Sequence, residues 1–437
     1  MTATYRAAPV ERRLVAASRI FLAFALMQLC LIPTGHAQPA SDKPATEKAA
    51  TNAEQPKETI RQAIAKPMLE AEKLLKEKKY PEVLAQIAEA EKVEGKTPYE
   101  IYILDRMRAV AALGVGNDVL AVQSLESAFA SGRVPMEETY AFLDGMARIY
   151  YRQKEYKKAA MWAARAANEP NARIETRLLL GHSAHLTGDF ATAKREVAIV
   201  VAAGEQAGTA PPEDQLRLLA NAYLKTEDIP GYVAVLEKLA VRYPKKDYWA
   251  DLIYRVESKA GFSERLALDV YRLKLITGVL SEKSDFLEMA TTTLQSGFPA
   301  EAQRVIDAGV AAKVLDDNAS ADSEKKLRAS ISKELAEENA RAAKANQPPP
   351  KGSIALLNNG FDAVIKGNAP KGLELMEAGL KAADLRRPDE ARLRYGVALV
   401  LAGQKPKAIE TFKSVEGADG AAALARIWGL YSGATAK

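Results

Sequence analysis

The chain has 437 residues, of which 48% are hydrophobic and 7% aromatic, with 61 Lys and Arg against 56 Asp and Glu for a net charge of +5. A balance this near to neutral gives no electrostatic case for nucleic acid as a partner. The single cysteine, Cys30, excludes an intrachain disulfide framework and leaves no thiol nucleophile beyond residue 30.

Residues 1–37 read as a secretory signal peptide. Arg12, Arg13 and Arg19 form a basic start, Ile20 to Ile32 an apolar stretch of 13 residues, and Gly35-His36-Ala37 a small-residue cleavage site after Ala37. Thirteen residues fall short of the roughly 20 that a spanning helix needs, so no transmembrane span is expected after cleavage. Leu29 precedes Cys30 where a lipoprotein signal would have a small residue. Four Arg and one Glu lie in this segment, so its loss lowers the net charge from +5 to +2. The expected location is the periplasm.

Residues 38–56 carry Ala, Pro, Thr, Lys and Glu with almost no large apolar group, a composition that predicts a disordered linker. From Lys57 a helical pattern sets in. A short turn recurs along it, with an aromatic or apolar residue followed three positions on by a small one: Tyr80 and Val83, Tyr156 and Ala159, Phe190 and Ala193, and more loosely Ile229 and Tyr232. Tyr156 and Phe190 stand 34 residues apart, a separation that marks stacked helix-turn-helix units.

Five such units follow in order, near 64–93, 102–131, 140–170, 174–204 and 213–246. Small residues such as Ala109, Ala147, Gly181 and Ala220 sit where the two helices of a unit approach, and larger ones fill the gaps between. Beyond Asp247 the pattern weakens, with one degenerate unit around Trp249 to Leu273 and another around Phe286 to Ile306. Residues 316–352 predict a charged helix, read as having little apolar stripe, and a linker with Pro348, Pro349 and Pro350, which stop a helix. Two further units lie within 353–433, and the helix from Ala421 to Tyr431 caps the last one.

These phrases resemble the tetratricopeptide repeat (TPR) superfamily over 57–315 and 353–431. Thr97 to Tyr102, Tyr243 to Trp249 and Leu266 to Lys274 are, more narrowly, similar to exported proteobacterial TPR proteins described as components of the TonB energy-transduction system. The resemblance implies an all-α, TPR-type helix-turn-helix solenoid wound as a right-handed superhelix. It also implies an N-terminal array over 57–315, a C-terminal array with capping helix over 353–433, and a scaffold for protein partners with no catalytic residues and no cofactor.

His182 and His185 lie at i, i+3 on one helix. Two nitrogens without a third ligand at metal-site spacing do not make a zinc site. Neither a nucleophile elbow nor a phosphate-binding loop is present, so no enzyme activity is expected. The TPR register places Arg106, Arg148, Tyr151, Arg152, His182, His185, Arg217, Asn221, Lys225 and, less closely, Tyr254 on the inner face of the first helices. A run of cations there would suit a protein or peptide partner with acidic side chains or a free C-terminal carboxylate. The corresponding positions of the last two units are apolar: Ile354, Leu357, Phe361, Val364 and Ile365, then Leu393, Val397, Val400 and Leu401. Such a face is expected to be filled, with self-packing ahead of a partner. An alternative reading makes the chain an envelope polysaccharide or peptidoglycan-binding module, with Tyr151, Tyr254 and Trp249 stacking on sugars.

Overall fold

The computed structural model describes residues 58–318, 321–342 and 351–434. The expected signal peptide, the whole of the expected disordered linker and the proline run at 348–350 lie outside them. Among the described residues there are twenty α-helices, one short 3-10 turn and no strand. The helices are α1 (Gln62–Lys76), α2 (Tyr80–Glu91), α3 (Pro98–Gly114), α4 (Asp118–Ala130), α5 (Met136–Arg152), α6 (Tyr156–Ala166), α7 (Ile174–Leu186), α8 (Phe190–Gln206), α9 (Glu213–Lys225) and α10 (Ile229–Arg242). They continue as α11 (Lys246–Glu257), α12 (Ala267–Ile276), α13 (Lys283–Gln295), α14 (Pro299–Ala311), α15 (Asp322–Ala342), α16 (Ser353–Ile365), α17 (Ala369–Leu380), α18 (Pro388–Leu401), α19 (Lys405–Lys413) and α20 (Ala421–Ala434). The architecture is an all-α series of helical hairpins.

The recurring turn has one physical cause. At the end of each first helix, one residue adopts the left-handed conformation: Lys78 (φ 60°), Gly116 (77°), Lys154 (63°), Gly188 (83°) and Glu227 (57°). The N–H of the next residue then reaches back to a carbonyl five positions earlier: Lys79 to Leu74 at 2.9 Å, Asn117 to Ala112 at 2.8 Å, Glu155 to Tyr150 at 2.9 Å, Asp189 to Ala184 at 2.9 Å and Asp228 to Tyr223 at 3.0 Å. That is the Schellman ending, and it satisfies carbonyls that the helix terminus leaves orphaned. The same residue can also start the second helix. Asn117 caps Leu120 N at 3.0 Å, Asp189 caps Thr192 N at 3.0 Å and Asp228 Oδ1 accepts from Gly231 N at 3.0 Å.

The chain divides into two compact units, 1–232 and 233–437. In the first, α1 to α9 pair as consecutive hairpins over a core that includes Met68, Leu104, Met107, Leu125, Phe142, Met146 and Ile149. Thr97 opens α3 with a capping box to Glu100, and Arg61 grips the same carboxylate, with Nη2 2.8 Å from Oε2. That bond pulls the Glu100 pKa down to about 2.

In the second unit helices distant in sequence meet. Tyr431 of α20 lies edge-on to Trp249 of α11 with ring centroids 5.9 Å apart, and the backbone N–H of Ser263 donates to Asp419 O at 2.9 Å. Trp428 stacks on Phe412 at 6.2 Å, so α20 covers the final hairpin and packs on α11 as well. The division into compact units falls inside α10 and does not coincide with the break expected at 316–352, because α15 is not a bare spacer. Its Leu327, Ile331 and Leu335, at i, i+4 and i+8, pack on the core of α13 and α14, and Ile331 is fully buried.

The apolar face of the last units is mostly self-packed. Phe361 is fully buried, with the Phe298 ring at 5.7 Å and the Arg272 guanidinium at 4.1 Å. Leu357, Val364, Ile365, Leu393, Val397 and Val400 are buried too, whereas Ile354 and Leu401 stay exposed. Arg272 itself is 2.7 Å from Glu301 and 2.7 Å from Asp269. Burial opposes its charge, but Glu301 and Asp269 more than offset this and raise its pKa. Such a cation needs both carboxylates, since an unpaired buried charge is strongly unfavourable.

Candidate functional site

The residues expected on the inner face divide into a seam and an edge. The seam runs between successive first helices of the first unit. Arg106 on α3 is buried, with Nη2 2.9 Å from Glu138 on α5, and its guanidinium lies over the Tyr102 and Phe142 rings at 5.4 and 5.9 Å. Tyr151 on α5 is buried and shares a 2.9 Å hydrogen bond with Nδ1 of His182 on α7. His185 Nε2 donates to Asn221 Oδ1 on α9 at 2.8 Å. Between α5 and α7, Tyr140 donates to Thr176 at 2.8 Å, and Thr176 donates to Asp144 at 2.7 Å. From α3 to α9 each first helix is thus tied to the next by buried or part-buried polar contacts. Arg106, Tyr151 and His182 are joints within the fold and not exposed groove residues.

Arg148 and Arg152 are also committed. Arg148 donates to Asp144 from Nε at 2.6 Å and from Nη2 at 3.2 Å. Arg152 reaches across to Asp118 at the start of α4 with a bidentate pair of bonds at 2.8 and 2.7 Å, and its side chain is 8% exposed. The expectation of a run of available cations therefore fails at Arg106, Arg148 and Arg152, because a carboxylate already matches each charge.

The edge is on α9. Arg217, Asn221 and Lys225 stand at i, i+4 and i+8, so they share one helix face. Arg217 is half-buried, Lys225 is exposed, and neither has a carboxylate partner among the described residues. Lys225 Nζ sits 5.9 Å from the Phe190 ring and bears electrostatically on His185. The pKa of His185 is lowered, first by burial and also by Lys225, against the opposing bond to Asn221. Burial first, and His185 second, push His182 down to about 4, so both imidazoles are neutral near pH 7. Tyr254, on α11 of the second unit, is 66% exposed.

Sequence reasoning missed Glu138, Asp144 and Thr176, which complete the seam, and Asp118, which pairs with Arg152 from the start of α4. A signal for them exists. Hydrogen-bonded pairs in the seam lie 31 to 36 positions apart, one repeat period, so the counter-group of a residue on one unit sits at a similar register on the next.

The described residues contain no group of three or more His, Cys, Asp and Glu placed to hold a metal, and no helix long and apolar enough to cross a membrane. No family model and no curated protein matches the chain. Among solved structures, that of Naa15/Naa10 bound to HypK-THB is similar at 13% identity and a TM-score of 0.31, over 81% of this chain and 58% of that one. At that level the similarity identifies no partner and no activity.

Proposed function

We propose that the chain is a non-catalytic scaffold that binds a protein partner through the α9 edge, where an acidic segment or a free C-terminal carboxylate lies against Arg217, Asn221 and Lys225. The observation that carries this reading is the contrast within one face. Arg106, Arg148 and Arg152 are each matched by a carboxylate, and Arg217 and Lys225 have none among the described residues. Arg offers paired donors to a carboxylate, Lys adds a mobile charge, and the helical hairpins hold both on a rigid element.

The finer reading places this scaffold in the periplasm, as a member of an exported system linked to TonB-dependent energy transduction or envelope assembly. Its support is the signal-like pattern of residues 1–37 and the resemblance of Thr97–Tyr102 and Tyr243–Trp249 to exported TPR proteins. A sugar platform has less support, because Tyr151 and Trp249 are 4% and 3% exposed and only Tyr254 of the three offers a face.

Fluorescence anisotropy with labelled peptides tests the proposal. An acidic peptide with a free C-terminus is expected to bind more tightly than its amidated or neutral counterpart, with affinity falling as salt rises. Equal binding of all three peptides would count against it.

A further inference from the structure

We propose that the outward face of α6 is a docking surface for a membrane bearing anionic phospholipid headgroups. α6 contains Lys157, Lys158 and Arg165 and no Asp or Glu, and Lys154 stands in the turn that leads into it. All four side chains are exposed, and none has a carboxylate partner among the described residues. Met161, 50% exposed, lies one turn from Lys157 and one turn from Arg165. Glu155 is the one acidic residue between 154 and 165.

Two of the cations are positioned by aromatic rings. The Arg165 guanidinium lies 4.9 Å from the Phe129 centroid and 4.8 Å from that of Trp162, and Lys158 Nζ is 5.0 Å from the Tyr150 ring. Stacking leaves the guanidinium edge free to donate to phosphate oxygens in pairs. Elsewhere in the first unit exposed cations are matched locally, as Lys73 by Glu70 and Lys76 by Glu72 on α1, and Lys92, just past α2, by Glu89.

The choice of a lipid surface over an acidic protein follows from area. One exposed apolar side chain among four cations offers too little to bury for a stable interface with a folded protein. A charged bilayer needs little burial, because each basic residue held near it multiplies binding about fivefold. Met161 would enter the headgroup layer as the single apolar contact.

The test is co-sedimentation of the chain, purified as the cell produces it, with phosphatidylcholine vesicles and with phosphatidylcholine–phosphatidylglycerol vesicles. The difference in partitioning between the two is the quantity read, which removes any apolar contribution from elsewhere in the chain. Lys154→Gln with Lys157→Gln changes two exposed side chains and is expected to lower that difference about 25-fold. Met161→Gln is expected to lower anionic-vesicle binding several-fold, and unchanged circular dichroism checks that both variants fold. Equal partitioning to both vesicles, or an unchanged difference in the double variant, overturns the proposal. So does capture of a soluble acidic polypeptide by this face without vesicle binding, which would assign it to a protein partner.

Discussion

Tyr151 and His182 meet at 2.9 Å across the seam between α5 and α7, both buried, and the imidazole is neutral because burial and His185 lower its pKa to about 4. The sequence register points both residues at a ligand, yet the fold uses them to fix one hairpin against the next. That contact carries a pH dependence. Unfolded, His182 takes up a proton near pH 6.5; folded, it resists down to about 4, so stability is full above 6.5 and falls as the pH drops through this window. The loss reaches about 3 kcal/mol at its limit, by the energy equivalent of the shift. Urea unfolding at pH 7 and pH 4.5 is expected to show a smaller drop for His182→Gln than for the native chain. An equal drop in both would mean that His182 does not hold its proton state through burial. Glu100 acts separately, since its stabilisation is lost between pH 4.5 and about 2.

Arg106 and Glu138 give a second prediction. Both side chains are nearly buried, at 8% and 6% exposure, so removing one partner strands the other. Glu138→Leu alone should cost about 3 kcal/mol, whereas Glu138→Leu with Arg106→Met should recover most of it, as buried pairs replaced together often do. A double variant as unstable as the single one would show that the pair supplies something apolar packing cannot replace.

At the hairpin turns, Lys78 and Glu227 occupy the left-handed region that glycine holds at Gly116 and Gly188. The strain of a side chain there is about 1–2 kcal/mol, and the extra flexibility of glycine in the unfolded chain returns about 0.5–1 kcal/mol. Lys78→Gly and Glu227→Gly should therefore each raise the melting temperature slightly, and Gly188→Ala should lower it. Calorimetry on the three variants checks the signs.

α15 yields a fourth expectation. Ile331 is fully buried against α13 and α14, so Ile331→Ala should cost about 2–4 kcal/mol. Hydrogen exchange along 322–342 should speed up in that variant and stay unchanged in Lys333→Ala. Slow exchange in both would place the anchor of the helix elsewhere.

The hairpins were legible because apolar spacing, small residues at close crossings and the turn signal repeat in one register. The turn at Lys154, Glu155 and Tyr156 can be read from the residues themselves, since a Schellman ending is local. The site was only half legible. Arg106 and Arg152 look like exposed helix cations until Glu138 and Asp118, one repeat away, are seen to face them. The stripe of Leu327, Ile331 and Leu335 was hidden by the surrounding charges of α15, although its spacing is regular. The contact of Trp249 with Tyr431 spans 182 positions and has no repeat period to announce it.

The most direct test of the account separates the seam from the edge by titrating a labelled acidic peptide against two variants and the native chain. Arg217→Glu with Lys225→Glu should abolish binding while leaving thermal unfolding unchanged; Arg106→Met with Glu138→Leu should bind as the native chain does. Native-like binding by the first variant, or loss of binding by a folded second one, would contradict the account and return the ligand to the seam.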